Sequence, residues 1–306
     1  MIDRPKKPLP VNSANGTSKI VCVVKTFSMW YPDSESNPNG SGHWVTSSYT
    51  ICIDLTIDTF ENPDDGSGNG GYDYPPFGGG FDNPLDTTKI PKSPCEQIKK
   101  QTINTNYKAK IEALDNPSVL NLKKETGFSE SKTGVFTELS SAVSTNSSDG
   151  LTVTVTPSLK GYIHTHLNNY LTGTFNDAGE PLIKKPIRMF SPADVNTLMT
   201  MAEMATDGNY GELYGTMVSS YGNYTIMFTG TASDIKTGFD TQKWTDDYVA
   251  YRVRNPYWSF EKLFLTFLKE KMNVQGVELY KIKDNGTVQK KTLNSNNNVQ
   301  SSDCPQ

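Results

Sequence analysis

Leu159-Lys160-Gly161-Tyr162-Ile163-His164-Thr165-His166 closes a strand predicted over 151–166, and the rest of the chain is best read outward from it. The protein has three histidines, and two of them end this strand. Side chains alternate faces in extended backbone, so His164 and His166 point the same way with their rings a few Å apart. Downstream, Ser191-Pro192-Ala193-Asp194 adds a carboxylate. Two imidazoles and one carboxylate are the ligands a single zinc ion collects while keeping a fourth position for water.

On the downstream side, 191–205 is predicted to be a helix, with Ser191 at the cap, Pro192 in the first turn and Asp194 three residues after the cap. Strands near 212–219 and 224–230 follow, split by Ser220-Tyr221-Gly222-Asn223. A long helix is expected from Asn255-Pro256, because Tyr257, Phe260, Phe264, Phe267, Leu268 and Met272 recur at helical spacing. Strands 277–283 and 287–293 flank Asp284-Asn285-Gly286 as a hairpin. The Asn/Ser-rich 294–306 reads as a mobile tail.

Upstream, Ser93-Pro94-Cys95-Glu96 is a capping box that opens a helix, and a second helical stretch covers 107–114. A further strand region spans 126–140. The segment 61–94, with Gly66-Ser67-Gly68-Asn69-Gly70-Gly71 and Gly78-Gly79-Gly80, cannot fill a core and reads as a linker. Before it, 19–60 forms a small β-rich region with strands over 19–31 and 44–58. Residues 1–18 read as a Pro/Lys tether. The expected architecture is α/β (α+β): a mixed sheet flanked by helices over 95–293, preceded by the small β-rich part.

Composition limits the roles open to the chain. It is 306 residues long, 35% hydrophobic and 20% charged, with a net charge of −4. No basic cluster longer than a pair supports nucleic-acid binding, and no run of about 18 apolar residues would span a membrane. Cys22, Cys52, Cys95 and Cys304 lack Cys-x-x-Cys spacing, so a cysteine zinc site has little support, and the four are read either as disulfides or as buried free thiols. Three connectivities are open. Folding the first two strands about Asn37 sets Cys22 opposite Cys52 on a polar face, a suspected disulfide that points to the cell envelope or a secreted location with any signal removed. A cytoplasmic location stays open.

Together, Glu125-Thr126-Gly127, the strand ending His164-Thr165-His166, and Ser191-Pro192-Ala193-Asp194 resemble the JAMM (MPN+/JAB) metalloprotease motif of glutamate, His-x-His and Ser-x-x-Asp. The likeness covers roughly 95–282 in order of elements. It implies that His164, His166 and Asp194 bind Zn2+ with a water as fourth ligand. It further implies that Glu125 moves the water's proton to the leaving amine, and that Ser191 helps hold the developing oxyanion. The expected reaction is hydrolysis of an amide or isopeptide bond in a peptide or protein substrate.

The chain departs from the family pattern in two ways. Leu167 follows the second histidine where proline is usual, and 24 residues separate His166 from Ser191. That insertion, 168–190, reads as a loop at the mouth of the site. Competing readings exist for single residues. Ser191-Pro192-Ala193-Asp194 is also an ideal helix start, Glu130 and Glu138 compete with Glu125 as base, and His43 reads as a surface residue of the first hairpin's loop.

A rival function is a surface-anchored lipoprotein or binding subunit that keeps the fold with a structural or lost metal. It would meet an envelope partner through the amino-terminal region and its aromatics Trp30, Tyr31, Trp44 and Tyr49. An open cleft shared by Glu125 and the metal would separate the two readings.

Overall fold

The computed structural model describes residues 18–32, 42–56, 93–141, 150–176, 179–205, 208–238 and 240–305, with only the backbone described over 18–32 and 42–56 and at 141 and 242. The tether expected over 1–18 and the Gly/Pro-rich linker expected over 61–94 lie outside these residues except at Ser18, which begins the first strand, and Ser93-Pro94, which cap and begin the first helix.

Strands β1 (Ser18–Pro32) and β2 (Gly42–Thr56) pair antiparallel, with Cys22 registered against Cys52 as the sequence symmetry about Asn37 requires. The aromatics of this hairpin and the Cys22 and Cys52 side chains lie outside the described atoms. His43 falls within β2, opposite Tyr31, and not in the connecting loop.

Helix α1 (Pro94–Thr102) starts at the predicted capping box: Ser93 Oγ accepts from the Glu96 amide and Glu96 returns the bond to the Ser93 amide. Asn104 caps α2 (Thr105–Leu114) and Asn116 caps the short α3 (Pro117–Leu120). The strands β3 (Gly127–Ser131), β4 (Phe136–Glu138), β5 (Ser140–Ser141), β6 (Leu151–Thr152) and β7 (Leu159–Thr165) follow. Where a loop was expected, the insertion forms a hairpin of β8 (Tyr170–Phe175) and β9 (Pro181–Lys184), and β9 touches β2 at Lys184–Asp54.

Helix α4 (Pro192–Met204) matches the predicted helix to within a residue. Strands β10 (Tyr214–Ser219) and β11 (Gly222–Phe228) form the expected hairpin with a tighter turn: Gly222 and Asn223, expected in the turn, pair with Ser219 and Val218, leaving Ser220-Tyr221 as the connection.

Helix α5 (Thr241–Arg254) has no counterpart in the sequence reading. Its apolar residues Trp244, Tyr248, Val249, Tyr251 and Val253 are interleaved with Gln, Lys, Asp and Arg, and its cap is Asp240, whose carboxylate accepts from the Lys243 amide. Helix α6 (Phe260–Phe267) begins later than expected, because Asn255 terminates α5 and Ser259 supplies the cap. Tyr257, expected on the buried face, is 98% exposed. A wider turn, Leu268–Met272, carries the apolar face onward and ends at Asn273 with positive φ.

Strands β12 (Val277–Ile282) and β13 (Val288–Leu293) form the predicted hairpin. The mobile tail is corrected by a last strand, β14 (Val299–Asp303), which pairs antiparallel with β13. Cys304 is then bonded to Cys95, tying the chain's end to the first turn of α1.

The main sheet runs β14-β13-β12-β11-β10-β7-β3-β4, antiparallel except where β10 lies parallel to β7. Alternation divides its side chains between two cores. Tyr162, Met217, Tyr224, Ile226 and Leu279 pack with α4, α5 and α6 on one face. Ile163, Tyr214, Val218, Met227 and Tyr280 pack with α1 and α2 on the other. This is the mixed sheet flanked by helices expected from the sequence. Among the described residues no helix is long and apolar enough to cross a membrane.

Candidate metal centre

Strand register brings the first three site residues together. Gly127 of β3 is paired with His164 of β7, so carrying the antiparallel register on by two residues sets Glu125 against His166. The Thr165 amide donates to the Thr126 carbonyl at 2.9 Å and the Thr126 amide to Thr165 Oγ1 at 3.0 Å, which extends the pairing past the strand's end. Gly127 is required by close approach: a Cβ there would lie 2.4 Å from the Ile163 carbonyl oxygen and 3.0 Å from His164 Cβ. The His166 amide donates to Val218 O, so β10 holds the other side of the histidine strand.

The carboxylate of Asp194 arrives from the start of α4. Ser191 caps that helix through its Oγ, which accepts from the Asp194 amide at 3.2 Å. Asp194 Oδ2 in turn accepts from the Ser191 amide at 2.6 Å and from Ser191 Oγ at 2.8 Å. Its other oxygen, Oδ1, lies 3.2 Å from His164 Nε2. The helix-cap and ligand readings of this motif are therefore compatible, since one carboxylate oxygen serves each. Ser191 directs its hydroxyl proton at Asp194.

The two imidazoles meet at Nε2, 2.9 Å apart. His166 Nδ1 donates to the Ile187 carbonyl at 2.8 Å, and because the partner is a carbonyl the proton is assigned to Nδ1. The Nε2 lone pair is left to face the centre, the orientation a metal-ligating histidine needs from its outer partner. Burial, and secondarily the neighbouring His164, lower the His166 pKa to about 4, so the ring is neutral at pH 7. Burial pushes the Asp194 carboxyl up, but His164, His166 and the Ser191 amide outweigh it and hold the group ionised, below its ordinary range.

Glu125, His164 and His166 each place one donor atom within 4.8 Å of the others. Glu125 Oε1 is 4.0 Å and Asp194 Oδ2 3.8 Å from His166 Nε2. Two Nε2 donors and two carboxylates suit a divalent ion. Tetrahedral ligands of zinc lie about 3.3 Å from one another, given metal–ligand bonds of about 2.0–2.1 Å. The 2.9 Å and 3.2 Å edges from His164 Nε2 to His166 Nε2 and Asp194 Oδ1 are within a few tenths of that value, and the contact between Asp194 Oδ2 and His166 Nε2 is longer, 3.8 Å.

The other candidate bases fall away from the centre. Glu130 is buried in a separate cluster, accepting from Lys160 Nζ at 2.9 Å and from Tyr214 Oη at 2.5 Å, and Glu138 is exposed.

The sequence reading passed over two supports. Tyr162 Oη donates to the Asp194 carbonyl at 2.9 Å, which fixes the first turn of α4 to the histidine strand. Its position two residues before His164, on the same face, was the available signal. The Ile187 carbonyl carried no signal, because any residue offers one.

Among the described residues no open cleft reaches Glu125 and the imidazoles, the observation that bears on the binding-subunit reading. Glu125 is 1% exposed, and His164, His166, Ser191 and Asp194 are 0%. Ile187, Met189 and Phe190, from the end of the insertion, are buried in the core on this face, with the Phe190 ring 6.5 Å from that of His164.

No protein-family model, curated protein or solved structure matches the chain.

Proposed function

We propose that the protein is a zinc-dependent metallopeptidase of the JAMM type, hydrolysing an amide or isopeptide bond. The observation that carries this reading is the convergence, from three separate segments, of Glu125, the His164/His166 pair and Asp194 on one buried site. In this reading His164, His166 and Asp194 are the ligands, supported by the approach of His166 Nε2 and Asp194 Oδ1 to His164 Nε2 at 2.9 Å and 3.2 Å. Glu125, set farther out, is the proton carrier. A bound divalent ion supplies Lewis-acid polarisation and a water nucleophile near neutral pH.

The chain's own groups do the rest. The Ile187 carbonyl and Ser191 hold His166 and Asp194 in ligand orientation, and Glu125 accepts a proton and delivers it to the leaving amine. Ser191 is given the orienting role over the oxyanion role, because its hydroxyl proton is committed to Asp194.

The test is metal content by mass spectrometry together with turnover on a peptide library. Glu125→Gln should keep about one zinc and lose turnover, whereas His164→Ala should lose both. Full activity in Glu125→Gln would remove the base assignment, and a metal-free wild type after zinc is added back would remove the reading as a whole.

One observation favours a second reading. The centre is sealed, and a closed site with four protein ligands is the pattern of a structural zinc. In that case Glu125 is a ligand, the protein is a binding subunit, and Glu125→Gln lowers metal affinity instead of turnover.

A further inference from the structure

Two recesses lie on the face of the main sheet that is turned away from the metal centre. Register places them. Val218 of β10 is paired with Asn223 of β11, and Asn223 with Ile282 of β12. Directly paired residues share a face, so Asn223 lies with Val218 on the side of α1 and α2, whereas His164 meets Asp194 of α4 on the other side. The recesses have volumes of about 590 Å³ and 380 Å³, within the range of small-molecule sites. Asp115, Asn223, Ile282, Lys283 and Asp284 line both, so the two meet along these residues, between the end of α2 and the turn that joins β12 to β13.

Asn223 stands at that junction and is 8% exposed. Its Nδ2 donates to Asp115 Oδ2 at 2.8 Å, but its Oδ1 is buried and has no hydrogen-bond partner. A buried acceptor left bare costs stability, and a donor on a bound molecule would satisfy it. The walls offer hydrogen bonds of both kinds. Asp115 and Asp284 accept, while Lys283 donates, as does Asn285 Nδ2, the Asn285 Oδ1 being taken by the Thr287 amide. In the larger recess the two carboxylates are balanced by Lys281 and Lys283. The smaller recess adds apolar surface from Ile111, Ile282 and the largely buried Tyr107.

We propose that this paired recess binds a neutral oligosaccharide, with the Asp115–Asn223 pair at the junction between two sugar rings. The chemistry of the lining selects the class. A bare cation would meet the Lys283 ammonium, and an anion would meet the Asp115 and Asp284 carboxylates. A hydroxyl suits both, because it donates to a carboxylate or to Asn223 Oδ1 and accepts from Lys283 or Asn285. The C–H face of a sugar ring suits the Ile111 and Ile282 side of the smaller recess. The site is independent of the metal centre and of either assignment of Glu125.

The experiment passes the full-length protein over an array of immobilised oligosaccharides, neutral and charged, and measures each hit by isothermal titration calorimetry. Neutral oligosaccharides should bind. Asp115→Ala removes an exposed carboxylate and leaves the helix cap, which the Asp115 backbone makes, in place. It should weaken binding by about tenfold or more, the effect of losing a hydrogen bond to a charged group. Asn223→Leu should weaken it likewise, and thermal unfolding would verify that each variant is folded. Should Asn223→Leu fail to fold, Asp115→Ala alone decides. Binding of charged oligosaccharides only, binding of none, or equal affinity in the wild type and Asp115→Ala would overturn the proposal, and none of these results bears on the metal reading.

Discussion

Gly127 shows how little room the centre leaves. A methyl group at that position meets the Ile163 carbonyl at 2.4 Å, and the backbone beside His164 must move to admit it. Gly127→Ala should therefore lose most bound zinc and destabilise the fold by about 1–3 kcal/mol, read from metal content and urea unfolding. Glu130→Gln is the contrasting change. It weakens the Lys160–Glu130–Tyr214 cluster, and so should cost stability while metal content stays at the wild-type value. Retention of zinc in Gly127→Ala would show that the close approach at β3 does not position His164.

At the scale of elements, two helix caps of the same kind should separate structure from site. Ser259 and Ser191 each accept the amide three residues on, and replacing either by alanine should cost about 1 kcal/mol. Only Ser191 also donates to a carboxylate of the centre, so Ser191→Ala should in addition weaken zinc binding, while Ser259→Ala should not. Competitive titration against a fluorescent chelator checks both.

The opposite face of the sheet carries a hydroxyl chain in which Tyr107 Oη meets Thr216 Oγ1 at 2.9 Å and Thr216 meets Thr225 at 2.9 Å. Burial pushes the Tyr107 pKa up from 10.0 to about 12. Between these values the unfolded chain releases the proton and the folded one keeps it, so stability falls as pH rises through this window, by on the order of 2–3 kcal/mol in all. Tyr107→Phe should lose less stability between pH 9 and pH 11.5 than the wild type does, a difference that denaturant unfolding at the two pH values would measure.

For the whole molecule, the Cys95–Cys304 disulfide joins residues 209 apart in sequence and holds β14 against α1. Closing so long a loop restricts the unfolded chain strongly, and losing the bond should cost about 2–5 kcal/mol. A reducing agent should lower the melting temperature of the wild type more than that of a Cys95→Ser/Cys304→Ser variant. Equal shifts would mean that the bond contributes nothing to stability.

Features set by near neighbours were legible in the sequence. The caps at Ser93 and Ser191, the existence of hairpins near 220 and 285, and the shared face of His164 and His166 follow from φ/ψ preferences and side-chain periodicity, which act within a few residues. Helix α5 escaped because its apolar residues, although Trp244, Tyr248 and Tyr251 recur at helical spacing, are interleaved with charged and polar ones, and the last strand because an Asn/Ser-rich segment is held by pairing and a distant cysteine instead of by its own propensity.

The sequence alone therefore determined the mixed α/β class and the residue types able to bind a metal. Tertiary structure alone decided that Glu125 and not Glu130 reaches the imidazoles, that Asp194 divides its oxygens between cap and centre, that a backbone carbonyl from the insertion sets the His166 tautomer, and that the centre is closed. Each of these depends on register and packing between segments tens of residues apart, where the contact is fixed by the free energy of the whole fold and leaves no local pattern to read.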